Sequence, residues 1–98
     1  MITRIVRLTL KDELSLDEFK KLYTKRNPKS RGVSGCLEVR IMKDIKENNI
    51  YYTVSKWSNN QALEDYRSSE YFKQTWPMVK STLAARTKVF TMEDIVDK

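Results

Sequence analysis

Apolar and polar residues alternate from the start of the chain. Ile2, Arg4, Val6, Leu8 and Leu10 fall on one side and Thr3, Ile5, Arg7 and Thr9 on the other. A period of two over nine residues predicts a strand. The period then lengthens. Leu16, Phe19, Leu22 and Tyr23 share one face at helical spacing, behind a capping box at Ser15-Leu16-Asp17-Glu18 and a hydrophobic staple of Leu14 on Phe19. Pro28 disfavours α geometry before it, so this helix is expected to end near Arg26 or Asn27. Gly32 and Gly35 mark a turn. Alternation resumes in Cys36 to Lys43, with Leu37, Val39 and Ile41 against Glu38, Arg40 and Met42. A polar hairpin loop, Asp44 to Asn49, leads to a third strand, in which Ile50, Tyr52 and Val54 lie opposite Tyr51, Thr53, Ser55 and Trp57.

Two further helices are expected. Ser58-Asn59-Asn60-Gln61 reads as a second capping box and opens a short helix with Ala62, Leu63 and Tyr66 inward. Ser69 caps the next, with Glu70 at its positive end and Phe72, Trp76, Val79 and Leu83 along one face. Pro77 should bend or interrupt it. Lys88 to Met92 reads as a closing strand. The order is βαββαβ, the pattern of ferredoxin-like α+β folds with a four-stranded antiparallel sheet. Such a sheet carries helices on one face only. These strands keep apolar or aromatic residues on both faces, so the helix-free face is expected to pack against a second copy as a homodimer.

At 98 residues the chain is expected to form one domain spanning 1–98. It contains no histidine, which removes Ser-His-Asp and Cys-His catalysis, His-ligated haem and the common zinc sites. The carboxylates near Asp12 and Asp17 read as loop and helix cap. Asp44, Glu47 and Asn49 lack the spacing and glycine of a calcium loop, so no metal site is expected. Cys36 is the single cysteine, fitting a reducing, cytoplasmic setting and an inert packed thiol. The N-terminus shows no signal-peptide pattern and no apolar run is long enough to span a membrane. The net charge of +6 owes part to Lys20, Lys21, Lys25, Arg26, Lys29 and Arg31, read as the solvated face of a helix and a loop. The third strand lacks the glycine-containing aromatic motif of RNA-recognition sheets, so no nucleic-acid partner is expected.

Four pieces of the chain in this order and spacing resemble the antibiotic biosynthesis monooxygenase family of dimeric α/β barrels, which includes haem-degrading monooxygenases. They are Arg4 to Leu10, Lys56-Trp57-Ser58 leading into Gln61 to Tyr66, Ser69-Glu70-Tyr71-Phe72-Lys73, and Lys88-Val89-Phe90. Haem-degrading members place an asparagine on the first strand, a tryptophan on the short helix and an iron-binding histidine on the next helix. Val6, Tyr66 and Trp76 stand at these places here. The resemblance therefore implies the other chemistry of the family: an oxygenase without cofactor or metal, in which a deprotonated small aromatic or quinone-like substrate gives its electrons to oxygen directly. Val6, Tyr66, Phe72 and Trp76 are the candidate pocket walls. Tyr52 or Tyr23 would supply a hydroxyl, and Arg40 or Arg4 a cation. No individual residue is assigned a catalytic role. The alternative is a non-catalytic module that binds or senses a small ligand on the same dimeric fold.

Overall fold

The computed structural model describes residues 1–26, 28 and 32–96, and among these the side chains of all but residues 13–15, 25 and 26. The elements are β1 (Ile2–Thr9), α1 (Glu13–Arg26), β2 (Cys36–Lys43), β3 (Ile50–Trp57), α2 (Asn60–Arg67), α3 (Glu70–Lys80) and β4 (Lys88–Glu93). The strands form one antiparallel sheet in the order β2-β3-β1-β4. This is the ferredoxin-like α+β arrangement expected from the element order.

The central strand β1 sets the register. It pairs with β3 from Ile2 opposite Trp57 to Thr9 opposite Ile50, and with β4 from Ile2 opposite Glu93 to Arg7 opposite Lys88. Directly opposed residues of an antiparallel pair share a face. Ile2, Arg4, Val6 and Leu8 thus share one face with Tyr51, Thr53, Ser55 and Trp57. Thr3, Ile5 and Arg7 share the other with Tyr52, Val54 and Lys56. All three helices cover the first face. One core cluster joins Val6, Leu8, Leu10 and Tyr51 to Phe19 of α1, with Trp76 and Val79 of α3 against it; a second joins Ile2, Cys36 and Trp57 to Leu63 of α2. Each large side chain buried in this way contributes roughly 1.5–3 kcal/mol.

Four local expectations are corrected. First, α1 opens at Glu13, and the Leu16 amide donates to the Asp12 carbonyl at 3.1 Å. Ser15 is therefore inside the first turn, and Asp12 holds the preceding position, where a carboxylate suits the positive helix end. The side chains of Leu14 and Ser15 lie outside the described residues, as do Asn27 at the expected helix end, the side chains of Lys25 and Arg26, and Lys29 and Arg31 of the basic stretch. Second, α2 is capped by Asn59, whose Oδ1 accepts from the Ala62 amide at 2.8 Å; Ser58 stands one residue outside. Third, α3 is capped by Ser69 as expected, its hydroxyl accepting from the Phe72 amide at 3.1 Å, but it runs unbroken through Pro77. The bond lost is the one to the carbonyl of Lys73, an exposed residue, so the loss falls on the solvent side of the helix. Fourth, the β2–β3 ladder shifts register between Cys36 and Glu38. This bulge turns Leu37 out, 47% exposed, while Cys36, Val39 and Ile41 face the helices.

Gly35 makes the tight entry to β2 possible. Its φ is +83°, and a Cβ there would collide with the Ala62 side chain and stand 3.0 Å from the Ser58 hydroxyl. Its carbonyl accepts from the Ser58 amide at 2.9 Å, tying the β2 entry to the β3 exit. No helix among the described residues is long and apolar enough to cross a membrane.

Candidate functional site

A cavity of about 120 Å³ lies between the sheet and the helices, at the seam of the two core clusters. Its floor is the helix-covered face of three strands: Arg4 and Val6 from β1, Val39 from β2, and Thr53, Ser55 and Trp57 from β3. Its roof is Phe19, Leu22 and Tyr23 of α1, Tyr66 of α2, and Phe72, Thr75, Trp76 and Val79 of α3. The pleat brings every second strand residue to the floor, and the 3.6-residue helical repeat brings Phe72, Thr75, Trp76 and Val79 to one stripe of α3.

Four aromatic rings run along one wall. Trp57 and Tyr66 have ring centroids 5.3 Å apart, Tyr66 and Phe72 5.3 Å in an edge-to-face contact, and Phe72 and Trp76 5.9 Å in a stack tilted by 9°. These separations lie in the favourable range for aromatic pairs. Trp57 is 1% exposed, and its Nε1 donates to the Ser55 hydroxyl at 3.0 Å. Phe72 and Trp76 also border a surface groove with Arg67, Lys73, Pro77 and Lys80, so this pair is the partition between cavity and solvent.

The polar part of the site is small. Arg4 carries the one formal charge among the described lining residues, and no carboxylate lines the cavity with it. Its pKa is lowered, chiefly by burial and then by the nearby Arg67 charge. Tyr66 and Glu64 act the other way and only partly offset this. Burial raises the pKa of Tyr23, with a smaller contribution from Cys36. The Thr75 hydroxyl donates to the Phe72 carbonyl at 3.3 Å, and so is already engaged in its own helix. Such a site offers flat apolar walls and a cation.

Of the residues singled out in the sequence, Val6, Tyr66, Phe72 and Trp76 stand around this cavity, together with Arg4 and Tyr23. Tyr52 and Arg40 do not. Tyr52 is opposite Arg7 and Arg40 is opposite Val54, on the helix-free face. Tyr52 donates instead to Asp44 at 3.0 Å, and Arg40 stands 3.7 Å from Glu38. The reason is the pleat: one residue of register exchanges the two faces, and hydrophobicity alone did not decide which face of β3 turns inward. Sequence reasoning missed Thr53, Ser55 and Trp57 as cavity residues. The available signal was Trp57, the bulkiest apolar residue of β3, whose parity with Thr53 and Ser55 places all three beneath the helices.

The model of the antibiotic biosynthesis monooxygenase family matches residues 1–76. The chain belongs to this family. Solved structures agree on the fold. One antibiotic biosynthesis monooxygenase superposes with a TM-score of 0.82 at 22% identity, covering 98% of this chain and 100% of its own. A conserved protein from Methanosarcina mazei gives 0.82 at 18% identity over 94% and 91%. SnoaB, a cofactor-independent oxygenase from Streptomyces nogalater, gives 0.83 at 11% identity over 98% and 94%. Among curated proteins none matches significantly in sequence. A haem does not fit this member's cavity. Trp76 stands in its wall, and the chain has no imidazole to ligate an iron.

Proposed function

We propose that this protein is a monooxygenase acting on a small aromatic or quinone-like compound, without a cofactor of its own and as a homodimer of domains spanning 1–98. The observation that carries the reading is an aromatic-walled cavity with one half-buried cation in a member of this family. Without an external reductant, the four electrons that dioxygen takes up come from the substrate. An activated ring methylene becomes a carbonyl, one oxygen atom enters the product and the other leaves as water. The protein's part is to hold the ring flat between Tyr66, Phe72 and Trp76 and to steady the anion formed when the substrate loses its proton.

The dimer rests on what the helices leave uncovered. β4 is exposed along its whole length, and on the helix-free face Phe90 and Met92, opposite Ile5 and Thr3, are 52% and 46% exposed. On the same open face the Arg7 Nε is buried with no hydrogen-bond partner among the described residues. A second copy laid on this face covers the apolar row and brings acceptors near Arg7.

The test is oxygen consumption with a panel of phenols, hydroquinones and ring-methylene compounds. The expected result is protein-dependent uptake with one atom of heavy-labelled dioxygen in the product. No uptake with any of them defeats the oxygenase reading. The alternative, a module that binds or senses a ligand, is favoured by one feature: the described cavity lining holds neither carboxylate nor imidazole to move a proton.

A further inference from the structure

We propose that Arg4 and Ser55 form an anion anchor, and that the ligand of the cavity is a single-ring aromatic compound carrying an anionic oxygen. This deepens the reading above and rests on it for the identity of the site, but not for any turnover.

Three independent observations meet here. The first is position. Arg4 of β1 and Ser55 of β3 are directly opposed in the antiparallel ladder, and both line the cavity floor. Their Cβ atoms are therefore about 4.5–5.5 Å apart on one face, close enough for a guanidinium and a hydroxyl to reach the same oxygen. The Ser55 hydroxyl already accepts from Trp57 Nε1 at 3.0 Å. Its oxygen is fixed in place by a buried ring, and its own hydrogen has no acceptor among the described residues. It is held as a donor.

The second observation is charge. No carboxylate of the described residues stands within ion-pair distance of Arg4; the ion pairs seen are Arg40 with Glu38, Lys56 with Glu38, and Arg67 with Glu64. A half-buried guanidinium without a counterion carries part of its desolvation cost uncompensated, and an arriving anion offsets that cost. Burial lowers the pKa of Arg4 for the same reason. Lys73 and Lys80, beside Arg67 on the groove outside the Phe72–Trp76 partition, add positive potential along the approach.

The third is size. A cavity of about 120 Å³ compares with the roughly 150 Å³ that takes up a benzene molecule in an engineered protein core. One ring fills it, with its faces against the aromatic wall and its charged substituent toward Arg4.

The experiment compares matched pairs by isothermal titration calorimetry on the full chain. Benzoate is set against benzamide, and pentafluorophenol, ionised at neutral pH, against its neutral methyl ether. Each pair keeps the ring and changes the charge. The expected result is a preference for the anion of about tenfold or more, the size of one charge-assisted hydrogen bond. The pair showing the larger preference tells whether a carboxylate or a phenolate is the natural head. Arg4→Met should erase the preference while the neutral compounds bind as before, and Arg4→Lys should keep part of it. Ser55→Ala should weaken the anion selectively. Equal affinity for both members of each pair in the unaltered protein, or no binding of any of the four, overturns the proposal whether or not the variants fold. Oxygen uptake is scored separately. Anion preference without uptake leaves the anchor standing and removes the oxygenase, while uptake without anion preference does the reverse.

Discussion

The two faces of the sheet are built from the same alternating strands, yet they treat charge in opposite ways. On the helix-free face most charged and polar groups are paired, the buried Arg7 Nε being the exception among the described residues. Glu38 stands 3.7 Å from Arg40 and 3.8 Å from Lys56, and Tyr52 donates to Asp44, which also accepts from the amides of Lys46 and Glu47 at 2.9 and 3.0 Å. These pairs are largely solvated and contribute little to stability. Beneath the helices the balance reverses. Few polar groups are present, and Arg4, the charged one, lacks an ion-pair partner among the described residues. A half-buried charge that the fold leaves without an ion-pair partner beside an apolar cavity is better explained by a ligand than by stability.

The contrast can be broken most severely from the covered side. Trp57→Ala removes a ring that is 1% exposed, floors the cavity and fixes Ser55. It should cost about 3–5 kcal/mol of folding stability, read from the shift in denaturant midpoint. A loss below about 1 kcal/mol would mean that Trp57 serves the site and not the core. On the open side, Phe90→Glu should leave folding stability nearly unchanged and weaken association by about 1.5–3 kcal/mol, the contribution of one large apolar side chain. Light scattering during gel filtration should show dimer becoming monomer over the micromolar range. An unaltered dimer would move the interface elsewhere.

The smallest effect concerns pH. Hydrogen bonds from the Lys46 and Glu47 amides, and then from the Tyr52 hydroxyl, hold the Asp44 pKa below the ordinary carboxylate value. The folded-state value is the lower one. Its contribution is therefore present above the ordinary range of ~3.9 and is lost as pH falls through the lower, folded value. The partner shifts the other way: the bond to Asp44, followed by burial, raises the Tyr52 pKa. That contribution is present below the ordinary tyrosine range and is lost as pH rises through the raised value. Asp44→Asn should flatten both limbs of the stability profile in thermal melts. A profile identical to that of the unaltered protein would show that this open-face network is without energetic consequence.

How far these features could be read in the sequence depended on whether the deciding interaction is local. Ser69 was legible as a cap because its partner, the Phe72 amide, lies three residues away. Ser58 and Asn59 are both good caps, and choosing between them required the backbone: Asn59 is extended at φ −160° and ψ 171° just before the helix. Pro77 carries a helix-breaking signal that packing of the Phe72, Trp76 and Val79 stripe overrides. The walls of the cavity were legible for the same local reason, since helical spacing alone collects Phe72 and Trp76. The floor was not. Whether Tyr52 or Ser55 lies beneath the helices depends on the pairing of β3 with β1, fifty residues apart in the chain, and Arg40 could not be separated from Arg4 without it.

The bulge at the start of β2 has a consequence for how the length of this chain can vary. Cys36 pairs with Trp57 and Glu38 with Lys56, so Leu37 is a residue that the ladder does not use. Deleting it would leave an uninterrupted strand in which Cys36, Val39 and Ile41 still face inward. Deleting one residue between Val39 and Lys43 would instead reverse the facing of one side of the strand relative to the other. Loss of a single codon is thus tolerable to the fold at position 37 and disruptive a few positions later, although both lie in the same strand.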